Sequence, residues 1–307
     1  GIAAFAVAAF AVVAATSAVA APKKGGTLNF VVGSKIPSYD GHQETTFGMI
    51  HPIRPFYSLL IRVNPSNPSD PTDFQCDVCE GSVPTGAKGG TEYTFKIRKD
   101  VKYHDGTPLT AHDVKATFDK IIFPPKGVPS SRKAFFMMVD SVTAPDDYTV
   151  VFTLKFPSGA FIPSVATPFN FIYSKKDLDT HGYEWHKKNV NGSGAYKLVE
   201  TEFGVRYRLV RHDGWHGEGA YFDEVDHQVI NDPNARQTAL ITGDVDAVTQ
   251  IELKTLALLE RDANIEIDNV PSGAAITMPM LCDVPPFDDN NVRMALKHSV
   301  NLSLIHI

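Results

Sequence analysis

Residues 93–121 read YTFKIRKDVKYHDGTPLTAHDVKATFDKI, and this stretch decides the class of fold. Tyr93 to Arg98 alternates: Tyr93, Phe95 and Ile97 on one face, Thr94, Lys96 and Arg98 on the other, which is the period of a half-buried strand. His104-Asp105-Gly106 then supplies turn chemistry, with a side chain able to bond the turn backbone and a glycine free to take positive φ. Thr110 followed by Asp113 is a capping box, so a helix is predicted to start there. Val114, Phe118, Ile121 and Ile122 keep helical spacing until Pro124-Pro125 stops it. A strand, a turn and a capped amphipathic helix in under thirty residues make an α/β reading.

Working outward, Thr27 to Val32 is predicted as a first strand, with Leu28, Phe30 and Val32 on one face, and residues 33–46 as a loop. Phe47 to Val63 is apolar with small polar breaks, and Pro52 and Pro55 limit where a helix can begin. Three prolines between Pro65 and Asp73 mark a surface connection. Downstream, Val139 to Thr143 and Tyr148 to Phe156 bracket Pro145-Asp146-Asp147 as a hairpin. Ala195 to Glu202 and Val205 to Arg211 form a second around Phe203-Gly204. After Phe222 the style changes. Val225 to Ile230 is a strand, Asp232-Pro233 an N-cap followed by proline, and Gly243 a C-cap. Asp244 to Val248 is strand-like, Leu253, Leu256 and Leu259 mark a further helix, and Ile265 to Ile267 another strand. Alternation of this kind predicts a parallel sheet with crossover helices.

The 307 residues suggest about two domains. Lys and Arg total 29 against 35 Asp and Glu, interspersed without a basic stripe, so nucleic acid is not an expected partner. Gly1 to Ala20 carries no charge and is long enough to span a bilayer, yet it ends Ala18-Val19-Ala20, a small-x-small step, followed by Lys23 and Lys24. It is expected to be a cleavable signal peptide, removed after Ala20. Without a Met or a basic n-region the sequence is expected to start inside its gene, and without a cysteine at the cleavage point a lipid anchor is not expected. Export to an oxidising periplasm follows.

Several segments resemble the extracytoplasmic solute-binding proteins of family 5, which include dipeptide-, oligopeptide- and nickel-binding members. Residues 93–121 are similar to that family's strand, aromatic-His-Asp-Gly turn and capped helix. Asn191 to Leu198 (NGSGAYKL) is similar to its Gly-Thr-Gly-Pro-Tyr turn, with Ser193 and Ala195 as departures. Arg236 to Val248 (RQTALITGDVDAV) and Pro286 to Asn301 (PFDDNNVRMALKHSVN) resemble two further family segments, in the same order. The resemblance implies an α/β type II periplasmic-binding-protein clamp with a subdomain inserted in its first lobe and a truncated second lobe. It places the first lobe at 21–46 and 184–269, the insert at 47–183 and the start of the second lobe at 270–301; 302–307 is expected to be a non-native tail. It implies a monomer without a cofactor that captures di- or oligopeptides and delivers them to the permease of an ABC importer. Nickel, haem or sugars are the same-fold alternatives.

Glu44, Thr45, Thr46 and Phe47 are the candidate ligand-binding residues, because the loop after the first strand faces the cleft in open α/β sheets. An ordinary solvated loop reads equally well from the same residues. Cys76-Asp77-Val78-Cys79 is a CxxC, but a proline-rich loop precedes it, Gly81 follows, and no second ligand pair has zinc spacing. A disulfide or two incidental thiols is the expectation, and a periplasmic thiol–disulfide or zinc enzyme is the reading it competes with. Cys282 is expected to be a buried small hydrophobe. His104 reads as part of a turn rather than as a metal ligand, and Asp244 and Asp246 as a solvated strand end. Gly192-Ser193-Gly194 lacks the spacing of a nucleophile elbow, and no phosphate loop or dinucleotide fingerprint is present. An enzyme is not expected.

Overall fold

The computed structural model describes residues 22–269 and 278–301; the signal segment, the hinge crossing after Val270 and the tail at 302–307 lie outside the described residues. The chain divides into two compact units at Asp268/Asn269.

The first unit is built on a five-stranded sheet of order β10-β1-β9-β8-β7. Its strands are β1 (Thr27–Val32), β7 (Tyr196–Glu202), β8 (Arg206–Arg211), β9 (Glu224–Val229) and β10 (Ala247–Val248). β1 runs parallel to both β9 and β10, while β7, β8 and β9 pair antiparallel. The sheet is therefore mixed: the expected parallel unit is its core, and the second predicted hairpin extends it. Strand periodicity sorts its faces. Leu28, Val225 and Leu209 lie side by side across β1, β9 and β8, as do Phe30, His227 and Tyr207. Leu28, Val225, Leu209 and Tyr207 join the core, and His227 is buried beside them against Phe30. The alternate positions carry Arg206 on Asp226, both contacts 2.7 Å, and Arg208 on Glu224 at 3.1 and 2.8 Å. Asp226 is covered by its arginine, whereas Arg206, Arg208 and Glu224 stand partly in solvent, where screening keeps such pairs weak; burial of the opposite face does more to fix the register.

Between β9 and β10 runs α5 (Pro233–Thr242), started by Asp232, whose Oδ1 accepts from the Ala235 N–H at 2.7 Å, and ended by Gly243 at φ 75°. The helix predicted from the later leucines divides into a 3-10 turn at Leu253–Thr255 and a single turn, α6 (Leu256–Leu259), of which only Leu259 is buried. Ile265 to Ile267 is not a strand: no described segment pairs with it, and an extended run without a ladder partner is only irregular chain.

Between β1 and β7 the chain leaves to build a second core. After the short α1 (Ile50–Ile53) come β2 (Ile61–Val63) paired with β3 (Phe74–Cys76). A three-stranded sheet follows, order β4-β6-β5, from β4 (Glu92–Lys96), β5 (Val139–Asp146) and β6 (Thr149–Leu154). Across it lies α2 (Ala111–Ile122), whose Val114, Phe118 and Ile121 are buried with Phe95 and Phe152. The Phe118 and Phe152 rings meet edge-on at 5.0 Å. Each such phenylalanine contributes about 1.5–3 kcal/mol by leaving water. Asp113 closes the capping box, accepting from the Thr110 N–H at 2.7 Å and its hydroxyl at 3.0 Å. Its other oxygen accepts from the Lys175 N–H at 2.8 Å, at the start of α4 (Lys175–His181). Asp113→Ala removes all three bonds and is expected to cost about 2 kcal/mol, read from urea unfolding. A loss below about 0.5 kcal/mol would show the cap to be dispensable.

The core of this insert gathers residues between Leu60 and Ile172, including α3 (Phe161–Val165). Met49 to Leu59 and Phe169 to Leu178 pack instead with the five-stranded sheet, so this core sits inside the expected insert of 47–183. The second unit holds α7 (Asn290–Ser299), capped by Asp289 Oδ1 on the Asn291 N–H at 2.7 Å, with no buried residue. Cys282 is exposed, contrary to expectation, because the described residues around it, Met278 and Leu281 among them, are exposed and leave no interior to enter.

Candidate functional site

The carboxyl ends of β1, β9 and β10 come together, the edge at which open α/β sheets receive ligands. Close approach governs what can stand there. A Cβ on Gly33 would lie 2.6 Å from Gln250 Oε1 and 2.9 Å from Arg236 Nη1, so a larger residue there would displace one of these side chains. Arg236 is buried and binds the strand ends together, donating to the carbonyls of Ile230 (2.8 Å), Asn231 (2.9 Å) and Gln250 (3.1 Å). It is thereby committed to the scaffold.

The candidate loop reaches this edge at Thr46. Its hydroxyl accepts from the Gly48 N–H at 3.2 Å, and a Cβ on Gly48 would fall 2.0 Å from Ser34 Oγ, directly after β1. Thr45 is exposed. Glu44 turns back into its own loop, its carboxylate accepting from Ser38 Oγ at 2.7 Å. Phe47 opens a 3-10 turn, Phe47–Met49, and its side chain lies outside the described residues. The insert holds the loop: the Ser131 N–H donates to the His42 carbonyl at 3.1 Å and Arg132 donates to that of Glu44. The described side chains that reach this edge, Ser34, Thr45 and Thr46, carry hydroxyls, which can donate and accept hydrogen bonds.

A cavity of about 700 Å³, within the range for small ligands, opens on the apolar face of the same sheet. Leu28, Phe30, Val225 and His227 form its floor, with His51, Arg54 and Trp215 around it. His227 is buried with Nδ1 unpartnered, and desolvation, with His51 nearby, pushes its pKa down to about 4. Nothing in the sequence pattern announced this cavity, since its walls come from segments far apart in the chain.

Cys76 and Cys79 are joined as a disulfide, Cα to Cα 4.9 Å. Between them Asp77 is buried, accepting from the Leu59 N–H at 2.8 Å and Arg54 at 3.3 Å, with His216 Nε2 at 3.5 Å. Burial would raise its pKa, but His216 and Arg54 outweigh that and hold it at about 2. The pair thus closes a loop whose ion pairs face inward. The His104 turn and the glycine turn, read separately in sequence, meet in space. His104 N–H donates to the Gly192 carbonyl at 2.7 Å and its Nε2 lies 3.1 Å from the Gly194 carbonyl. Asp105 Oδ1 accepts from the Thr107 N–H at 2.9 Å, and Gly106 sits at φ 87°. Asp246 accepts from the Asn29 N–H at 2.7 Å and Asp244 from Thr242 Oγ1 at 2.7 Å, both within the scaffold. Among the described residues no group of three or more His, Cys, Asp or Glu is placed to hold a metal ion.

Residues 82–305 match the family described as bacterial extracellular solute-binding proteins, family 5 middle. The chain belongs to this family. The glutathione-binding protein GsiB of Escherichia coli O6:K15:H31 is 31% identical over 220 residues, 71% of this chain and 42% of that protein. The GsiB of Pectobacterium atrosepticum is 30% identical over 216 residues, 69% of this chain and 41% of that protein. The chain therefore spans about two-fifths of the length of these family-5 relatives. Among solved structures, a dipeptide-binding protein from Pseudoalteromonas sp. SM9913 in complex with Met-Leu gives a TM-score of 0.78 at 19% identity, covering 91% of this chain and 58% of that one. The oligopeptide-binding protein AppA of Bacillus subtilis, in complex with a nonapeptide, gives 0.69 at 27%, covering 78% and 47%. The fold is that of the type II periplasmic binding proteins. The family is extracytoplasmic, and no helix among the described residues is long and apolar enough to cross a membrane.

Proposed function

We propose that this chain supplies the first wall of a periplasmic binding site for di- or oligopeptides, delivered to an ABC permease by a monomeric protein exported through residues 1–20. The observation that carries the reading is the edge at β1, β9 and β10, where the hydroxyls of Ser34 and Thr46 come together while Arg236 is committed to the strand-end carbonyls. Peptide backbones are recognised by such groups. The names of the relatives, glutathione-binding and oligopeptide-binding, agree with a peptide-type ligand. Thr45, Thr46 and Phe47 stand as the contacts and Glu44 as the residue that holds their loop through Ser38. A thiol–disulfide enzyme places its CxxC at the start of a helix, and here the Cys76–Cys79 pair joins the end of β3 to a loop that leads into β4.

Calorimetry with glutathione, dipeptides and oligopeptides on the chain within its native gene product tests the reading. Saturable binding of one of these is expected, weakened roughly fivefold by Thr46→Val, the worth of about one hydrogen bond. Absence of binding to every peptide, with nickel, haem or a sugar bound instead, would move the protein to another ligand class. A Cys76→Ser/Cys79→Ser variant is expected to bind unchanged.

A further inference from the structure

The insert carries a surface that ligand capture at the strand edge does not use. Where α2 ends, a concavity of about 600 Å³ has Ile122, Phe136 and Val139 as its floor. Phe123 and Met137 stand at its rim with 45% and 72% of their surfaces exposed. Single exposed apolar residues need no explanation, but large ones collected around a concavity mark interaction sites. Phe135 and Phe156, next in sequence to residues lining it, are also exposed. The charge around it runs against the whole chain. The protein has a net charge of -6, yet Lys133 and Lys155 line the concavity, no Asp or Glu does, and neither lysine enters an ion pair with a described carboxylate.

We propose that this concavity docks a protein segment in which an apolar side chain is flanked by carboxylates. The side chain fills the space between Phe123 and Met137, and the carboxylates meet Lys133 and Lys155. A flat lipid surface would span the concavity and leave it unfilled, so the hollow shape favours a peptide segment over a membrane. Charge complementarity of this type sets the choice of partner more than raw affinity, and weakens with salt. Its apolar floor belongs to the core of the insert; Ser131 on its wall also bonds the Gln43 carbonyl, but no residue of the candidate loop lines it.

Met137 is its own reporter. With methyl-labelled methionine, the six methionines give separable signals, and Met137→Leu assigns the one at the rim. The probe is the blocked peptide acetyl-EDLFED-amide, with acetyl-KKLFKK-amide as its opposite. The Met137 methyl is expected to shift saturably with the acidic peptide. Binding should fall about tenfold or more for the basic peptide, for the Lys133→Glu/Lys155→Glu variant, and on raising salt from about 50 to about 500 mM. The buried Met49 and Met138 should keep their signals in that variant, showing that it is folded. An unmoved Met137 signal, or equal responses to the two peptides, overturns the proposal. A response only to phosphatidylglycerol/phosphatidylcholine vesicles overturns it in favour of a lipid surface. Because the readout sits in the insert, loss of peptide capture at the strand edge would leave it unaffected.

Discussion

Lys120→Met is expected to destabilise the protein by about 3–5 kcal/mol, the loss that follows when one partner of a buried ion pair is removed and the other stays. Lys120 lies on α2 with its side chain fully buried, and its Nζ meets Asp40 at 3.0 and 2.8 Å. Asp40 belongs to the loop after β1, so the pair joins the core of the insert to that of the five-stranded sheet. Around it the remaining valences are filled. Tyr173 donates its hydroxyl to Asp40 Oδ1 at 3.0 Å, the His42 N–H reaches the same oxygen at 3.0 Å, and Gln43 Nε2 reaches Oδ2 at 2.7 Å. His42 Nδ1 lies 3.3 Å from Lys120 Nζ and its Nε2 lies 2.8 Å from the Phe171 carbonyl. Desolvation, then the neighbouring ammonium, holds its pKa well below the usual range, so it is neutral, accepting at Nδ1 and donating at Nε2. Burial works to raise Asp40's pKa, but Lys120 and His42 prevail and keep it lowered. Methionine in place of Lys120 would leave that carboxylate without a countercharge. The Asp40→Asn/Lys120→Met double variant should recover much of the loss, since replacing both members of such a pair is often close to neutral. Urea unfolding measures both. A single variant that loses less than about 1 kcal/mol would mean that the two cores are held by apolar packing alone.

That pair also shows where sequence reading stops. The strand at Tyr93 shows in its own period, and the capping box at Thr110 and the N-cap at Asp232 are local events in which a side chain meets its own backbone within three residues. They were legible for that reason. Lys120 sits between Phe118 and Ile121, and periodicity gives a charged residue there to solvent. It is buried because α2 touches two cores at once, a fact set by residues 80 positions away. The apolar run from Phe47 to Val63 was visible as apolar, but which core receives it was not, because both cores are equally greedy for Phe56 or Leu60. At the candidate site, Thr46 was reachable by the rule that ligands meet strand ends. The inward commitment of Glu44 was not, because its partner Ser38 lies in the same irregular loop, where no period constrains direction. The sequence does not single out Gly33, Ser34 and Gly48; the one signal there is a glycine immediately after a predicted strand, where the structure crowds the side chains of Gln250 and Arg236 against the backbone.

Acid should weaken the fold well before its carboxylates titrate. Besides His42, three histidines are held far below their ordinary value of 6.5, His186 at about 3 and His104 and His227 at about 4, in each case chiefly by desolvation. Lys120, next to His186, lowers it further, while Asp40 opposes; Tyr173 stacks on its ring at 3.9 Å and Trp185 meets it edge-on at 4.9 Å. The sign follows from proton counting. Below about pH 6.5 the unfolded chain takes up protons at these rings and the folded chain does not. Stability is therefore lost as pH falls from about 6.5 toward the folded values, at about 1.4 kcal/mol per pH unit for each ring. Three rings at that slope remove several kcal/mol by about pH 5, a large part of a typical 5–15 kcal/mol total. Asp40 and Asp77, with lowered pKa, add their share only below about pH 4, where the unfolded carboxyls begin to bind protons. Urea midpoints at about pH 7.5, 6 and 5 should fall in step, with the steeper loss under 6.5. His186→Phe separates this cause from general acid sensitivity. Neither ring nitrogen of His186 has a hydrogen-bond partner, so phenylalanine gives up no bond and keeps the stack on Tyr173. The variant should flatten the slope by about 1.4 kcal/mol per pH unit while leaving stability at neutral pH nearly unchanged. Equal slopes in the two proteins would place His186 in water, in contradiction to its packing between Tyr173 and Trp185.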